Sequence, residues 1–240
     1  TMFRIFIIQK ILGFFDYFQQ KKIFNFLKER IKKESIFFDV GAHYGETVKN
    51  IYKYFKVNKI HCFEASNENY EILKKRLKNK SFNVKLNCFG LSNDNKSAYI
   101  AQSLESSSTT LSPINKESKY YKMKLSTLGL NDYSNFTKNI KVQLETLDNY
   151  IQKNNITSKI ELLKIDTEGH ELYVLHGAKK TLINVEFIYF EHHYDDMLNK
   201  GYKFSQINEF LSQNNFVKIY KSKMFFRKTF EYIYQNNRYK

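Results

Sequence analysis

The sequence predicts a doubly wound α/β fold carrying N-terminal helices and an antiparallel C-terminal hairpin. Short apolar runs alternate with amphipathic stretches of about ten residues, the rhythm of parallel βαβ units. The last two aromatic-rich runs are joined by only a short connection, which antiparallel strands can use and parallel strands cannot. Finally, 240 residues with 42% hydrophobic and 17% aromatic content suffice for one well-buried core.

Residues 1–34 read as a separate amphipathic helical segment. From about Phe3 to Lys33 apolar residues recur at helical spacing with basic residues between them, enough for one or two helices. Such a segment is expected to pack on the domain or on a second subunit, with a membrane surface as the rarer alternative. The apolar stretch is broken by Arg4, Lys10 and Asp16, so a span across a bilayer is not expected, and no secretory signal is recognisable.

The remaining residues, 35–240, read as one domain. Ser35–Val40 is a predicted strand, Glu46–Phe55 a helix, Lys59–Glu64 a strand, Asn67–Asn79 a helix and Phe82–Cys88 a strand. The section from 93 to 140 breaks this rhythm. It is rich in Ser, Asn and Lys, includes Ser106–Thr110 and holds the sole proline, Pro113. It is expected to be an insertion near the functional site, since long loops in compact domains are commonly lids. The rhythm then resumes: strand Ile160–Ile165, helix Glu171–Ile183, strand Val185–Glu191 and helix Phe204–Asn214. Two strands, Val217–Tyr220 and Met224–Tyr234, should form a hairpin turning near Lys221–Lys223.

The net charge of +15 is uneven. Residues 1–35 carry eight Lys/Arg against three acids and residues 218–240 seven against one, so the two ends supply eleven of the fifteen charges. A basic rim suits an anionic partner (nucleic acid, membrane headgroups or a phosphate-bearing substrate) unless the lysines only solvate the surface. Cys62 and Cys88 both lie in apolar strand-like runs and are expected to be buried free thiols in a reducing compartment.

The strongest local feature is Asp39-Val40-Gly41-Ala42-His43-Tyr44-Gly45-Glu46-Thr47. A strand ends in an acid, turns through two glycines and opens a helix, so backbone N–H groups and a helix N-terminus face a ligand. The Gly-x-x-x-Gly spacing differs from the Gly-x-Gly-x-x-Gly of dinucleotide binders. Asp39 could hold an amino group of the ligand. About twenty residues on, the second strand ends in Glu64-Ala65, where an acid can accept hydrogen bonds from both ribose hydroxyls. A nucleoside base would lie against Gly90-Leu91-Ser92. Either acid alone could be a cap or a surface charge, but together they favour a nucleoside-type cofactor.

A second acidic cluster, Asp166-Thr167-Glu168-Gly169-His170-Glu171, follows the fourth parallel strand, and the fifth ends in Glu191-His192-His193. Ligands of open α/β sheets bind at that carboxyl edge. Asp166, Glu168, Glu191 and one of His192 and His193 are expected to meet in one pocket. They could activate a hydroxyl as bases, or hold a divalent cation that lowers its pKa. Asp166, Glu168, His192 and His193 are the candidate ligands, and donor type alone leaves both routes open. The alternative is that Glu168 and Glu171 merely cap the next helix.

At these residues the sequence resembles the FkbM-type methyltransferases. The pattern appears as Asp39-Val40-Gly41-Ala42-His43-Tyr44-Gly45, as Phe63-Glu64-Ala65, and as the long match from Lys164 to Ala178, with Leu147-Asp148 before it. His43 stands where the family has Asn, and Ala65 where it has Pro. The resemblance covers about residues 35–195. It implies a seven-stranded Rossmann-like methyltransferase sheet, S-adenosylmethionine as cofactor, and O-methylation, often of sugars in antibiotics or bacterial surface glycans. The cofactor residues would then be Asp39, Gly41, Ala42, His43, Tyr44, Gly45, Glu64, Ala65, Gly90, Leu91 and Ser92. Asp166, Glu168, Glu191 and His193 would handle the hydroxyl.

The expected substrate is a sugar, nucleotide-activated or part of a capsule- or lipopolysaccharide-like glycan. The expected place is the cytoplasm or the inner face of its membrane, with peripheral contact through the basic ends. Oligomeric state is open. A base amino-group methylase of this fold would need an Asn/Asp-Pro-Pro-aromatic loop, which a chain with one proline lacks. RNA ribose methylation is the alternative enzyme, and a cofactor-free membrane-docking module the alternative without catalysis.

Overall fold

The computed structural model describes residues 2–78, 80–103, 109–128 and 137–240. Its elements run α1 (Met2–Lys28), β1 (Ser35–Val40), α2 (Glu46–Tyr54), β2 (Val57–Phe63), α3 (Asn67–Leu77), β3 (Val84–Asn87), β4 (Gly90–Leu91) and β5 (Lys96–Ser103). They continue with α4 (Lys119–Leu128), β6 (Thr137–Glu145), α5 (Leu147–Lys153), β7 (Ile160–Ile165), α6 (Glu171–His176), β8 (Val185–His193), α7 (Phe204–Gln213), β9 (Phe216–Lys223) and β10 (Thr229–Asn236).

The main sheet has seven strands in the order β3-β2-β1-β7-β8-β10-β9. The first five are parallel, and β10 is antiparallel to both its neighbours. The chain leaves β1 toward one edge and returns at β7 to build the other, so a crevice opens between the carboxyl ends of β1 and β7. Strand alternation sends Phe37 and Phe38 to opposite faces. Phe38, Leu163, Phe190 and Tyr232 pack with α5, α6 and α7, whereas Phe37, Leu162, Phe187 and Ile233 pack with α2, α3 and the second half of α1. Ile23, Phe24 and Leu27 of α1 are fully part of that second core.

The structure sharpens one expectation and corrects others. Of the one or two helices expected at the N-terminus there is one, of 27 residues. Gly13 is the one residue in it with strongly unfavourable helix propensity; it meets nothing nearby, and its cost of about 1 kcal/mol does not end the helix. Expected helix end Asn79 and the run Ser106–Ser108 lie outside the described residues. The helix expected over Glu171–Ile183 stops at His176. The Asp148 carboxylate accepts hydrogen bonds from the backbone N–H groups of Lys180 (3.1 Å) and Thr181 (2.8 Å), starting a separate turn at Thr181–Asn184. The hairpin turns at Met224–Lys228, past the expected Lys221–Lys223, because Met224 N–H pairs with Thr229 and Phe226 adopts φ 60°. Cys62 is buried, but Cys88 is exposed, since β3 ends at Asn87 on the sheet edge.

The section 93–140 holds structure of its own. β5 and β6 pair antiparallel and β4 joins β6, giving a three-stranded sheet. Ile100, Val142 and Leu144 form its inner face and pack against Ala65. The period-two pattern of Ile140, Val142 and Leu144 was the sign of a strand.

Candidate active site

The turn after β1 is built for close approach. Gly41 has φ 79°, and a Cβ there would lie 1.9 Å from the Asp166 carbonyl oxygen. Asp166 N–H in turn donates to the Val40 carbonyl (2.9 Å), so the turns after β1 and β7 touch. Gly45, φ 84°, caps α2 and seats it on Leu73. His43 has φ 46° and stacks its ring on Tyr44. Its N–H donates to Glu64 Oε2 (2.9 Å), and Ser66 N–H (2.9 Å) and Asn69 Nδ2 (3.5 Å) donate to Oε1. Burial pushes the Glu64 pKa up, opposed by the hydrogen bonds from Ser66 and His43. A carboxylate offers about four acceptor sites, so one is left for a ligand hydroxyl.

Other expected cofactor residues take supporting places. Asp39 is fully buried and lies across from Lys164 in the β1–β7 ladder. Its Oδ1 is 3.5 Å from Lys164 Nζ, and its Oδ2 has no partner. Asp39 therefore sits beneath the crevice floor. Gly90 packs on Ala65 and Leu144. Leu91 is in the core, and Ser92 shares a 2.9 Å hydrogen bond with His170 Nε2, pinning β4 to the α6 side.

Lys164 organises the floor. It is the lone basic residue in the buried strand Ile-Glu-Leu-Leu-Lys-Ile, and its Nζ donates to Asp166 Oδ2 at 3.1 Å. Burial disfavours its charge, but Asp166 and Asp39 outweigh that and hold its pKa above the usual value. Asp166 turns outward, its side chain 31% exposed. Glu168 follows with φ 50° and does not cap α6. Nor does buried Glu171, whose Oε1 accepts from Thr167 and Gly169 in the turn before the helix and whose Oε2 accepts from Tyr202 (2.6 Å); the N-cap of α6, His170, makes no side-chain cap hydrogen bond. The insertion clamps the same turn: Thr110 Oγ1 donates to the Glu168 carbonyl (2.7 Å) and Ser112 Oγ to the Gly169 carbonyl (2.9 Å).

At the tip of β8 the two histidines part. His193 Nε2 lies 3.2 Å from Glu168 Oε2, and its Nδ1 lies 3.6 Å from Asp195 Oδ2. Burial works against a charged ring, but Glu168, Asp195 and Glu191 raise its pKa well above the ordinary value. His192 points to the other sheet face, among Tyr194, Tyr202 and Phe204, where burial lowers its pKa to about 3. It cannot join a ligand set with His193. Among the described residues no group of three or more His, Cys, Asp or Glu side chains converges on one metal position. His193 and Glu168 instead form an ion pair with each other.

Glu191 stands opposite Glu231 of β10. Burial, then Asp166 and Glu231, push the Glu191 pKa well above the carboxylate range. Glu231 accepts a hydrogen bond from Tyr189 (2.5 Å), has one oxygen unpartnered, and is raised by burial to about 7. The sequence reading missed Lys164, Asp195 and Glu231. A lone Lys inside a buried apolar strand was the available signal for the first; Glu231 had none, because its place depends on hairpin register.

A seven-stranded sheet with β10 antiparallel, and a glycine turn at its switch point, define a Rossmann-like methyltransferase. The profile of the Methyltransferase FkbM domain matches residues 39–218, three-quarters of the chain. The protein belongs to the FkbM methyltransferase family and is an S-adenosylmethionine-dependent methyltransferase. Solved structures share the fold at low identity. One is methyltransferase FkbM from Methylobacillus flagellatus KT (13% identity, TM-score 0.53), matched over 85% of this chain and 43% of that longer one. Another is SMU.1697c, a putative methyltransferase from Streptococcus mutans in complex with SAH (12% identity, TM-score 0.50, 90% and 96% coverage). A third is an rRNA methylase from Streptococcus thermophilus (14% identity, TM-score 0.50, 90% and 94% coverage). No curated protein matches the sequence. The spare acceptor site on Glu64 and the glycine turn beside it fit the nucleoside part of S-adenosylmethionine. No helix among the described residues is long and apolar enough to cross a membrane.

Proposed function

We propose that the protein O-methylates a hydroxyl of a sugar, nucleotide-activated or carried on a glycan, within a domain spanning 35–240. One observation carries this reading: Asp166, Glu168, Glu191 and His193 gather at the β7 and β8 tips beside the glycine turn. Carboxylates accept hydrogen bonds from vicinal hydroxyls and repel phosphodiesters, which favours a sugar over RNA at the reacting centre. The cofactor, when bound, supplies an electrophilic methyl on a sulfonium. Glu64 and the turn from Gly41 to Gly45 hold its nucleoside. Asp166, partly exposed and steadied by Lys164, takes the hydroxyl proton as the acceptor oxygen attacks. His193 keeps Glu168 in place, and Glu191, its proton favoured by burial, donates a hydrogen bond to a neighbouring sugar oxygen.

The test is transfer of labelled methyl from S-adenosylmethionine to nucleotide sugars, to isolated glycans and to RNA, with Asp166→Ala as control. Transfer to a sugar that Asp166→Ala abolishes supports the reading. Transfer to RNA alone, or full activity in the variant, overturns it.

A further inference from the structure

α1 and the β9–β10 turn together expose an aromatic surface that the catalytic machinery does not use. Phe15 meets Phe225 and Phe226 at ring-centroid distances of 5.1 and 5.2 Å, joining helix to hairpin tip. Phe14 continues the strip toward Phe18 at 4.9 Å. Phe14 is 59% and Phe226 72% exposed, against the usual economy of monomer surfaces. Phe226 also holds φ 60°, a left-handed backbone that bulky residues avoid.

The surroundings are basic. Lys21 and Lys22 are exposed on the next turn of α1, and Lys223 and Lys228 flank the tip. From 13 to 28 and from 221 to 230 the sole acid is Asp16, which Arg227 holds at 2.8 Å. Arg227 lies close enough to Glu191 and Glu168 for their charges to favour its own. The patch therefore borders the acceptor side of the active site. Beyond it α1 extends to Met2 through a stretch, 2–12, with eight apolar residues, two basic ones and no acid.

We infer that this surface docks on an anionic lipid bilayer and presents the active site to a membrane-borne acceptor. Aromatic rings suit the headgroup level, and lysines the anionic phosphates. Protein interfaces are depleted in lysine, and RNA has no use for the apolar stretch 2–12. The inference rests on the sugar-acceptor reading only in saying how the acceptor arrives.

The chain has no tryptophan, so Phe226→Trp creates a unique reporter. With vesicles of phosphatidylcholine and phosphatidylglycerol, its fluorescence should shift to the blue and the protein should float, with both effects weakening in salt. Pure phosphatidylcholine should give little of either. Phe14→Ser with Phe225→Ser should weaken partitioning by about tenfold or more while S-adenosylhomocysteine binding is kept. Absence of the shift with anionic vesicles overturns the inference, as does binding that the double variant leaves intact. It is also overturned if the double variant converts a dimer to a monomer in ultracentrifugation, or if RNA but not vesicles moves the fluorescence. Vesicle binding without S-adenosylhomocysteine binding would instead overturn the cofactor assignment and leave the docking surface standing.

Discussion

Glu64 on one side of the crevice and the acids on the other differ in how far they are satisfied before a ligand enters. On the β1–β2 side, Glu64 accepts three N–H hydrogen bonds, from His43, Ser66 and Asn69. On the β7–β8–β10 side, Asp166, Glu168, Glu191 and Glu231 crowd around Lys164 and His193, and one oxygen of Glu231 has no partner. Glu64 is held by its neighbours before a ligand enters, as a group that recognises a constant cofactor should be. The other side buries acids against one another, so that Glu191 and Glu231 keep protons above the usual carboxylate range, as tuned groups in active sites do.

Substitutions on each side should therefore fail differently. Asp166→Ala should lower kcat by about 10²–10⁴-fold while S-adenosylhomocysteine affinity, measured by calorimetry, stays within about threefold. Glu64→Ala should do the reverse, weakening that affinity by about 10–100-fold. It should also cost about 1–3 kcal/mol of stability, because the His43 and Ser66 N–H groups lose their acceptor. A kcat loss in Glu64→Ala at saturating cofactor would blur the division.

The burial of these acids has a pH signature. Folded Glu231 keeps its proton up to about 7, against an ordinary 4.5. Between those values the folded state binds more protons than the unfolded one, so stability falls as pH rises through the window. Glu231→Gln should remove that decline and leave the variant about 1–3 kcal/mol better off than the wild type near pH 8, relative to their difference near pH 4. Denaturant unfolding at several pH values checks it, and parallel curves for the two proteins would contradict it. The smallest effect should come from His192→Phe, which fills the same aromatic nest without a polar nitrogen. Its stability should change by less than about 1 kcal/mol and its kcat hardly at all, whereas a large activity loss would return His192 to the active site.

Much of the fold was legible because its signals are local. Eight of the strands and helices outside the insertion begin and end within two residues of their expected bounds, since periodicity and turn residues act over a few positions. The glycine turn was equally legible, as Gly41 must accommodate the Asp166 carbonyl in any such fold. The three-stranded sheet of β4, β5 and β6 was missed although Ile140, Val142 and Leu144 alternate. Polar composition around them obscured a pattern only three residues long.

The sequence by itself determined the strand order's raw material, the nucleoside-facing turn and the acids at the β2, β7 and β8 tips, because each is written within a single strand–turn–helix unit. Tertiary structure alone decided which acids meet. Asp16 reaches Arg227 across 211 positions, Glu231 faces Glu191 through hairpin register, and strand alternation keeps His193 while turning His192 away. Such pairings depend on packing between distant segments, and no local propensity encodes them.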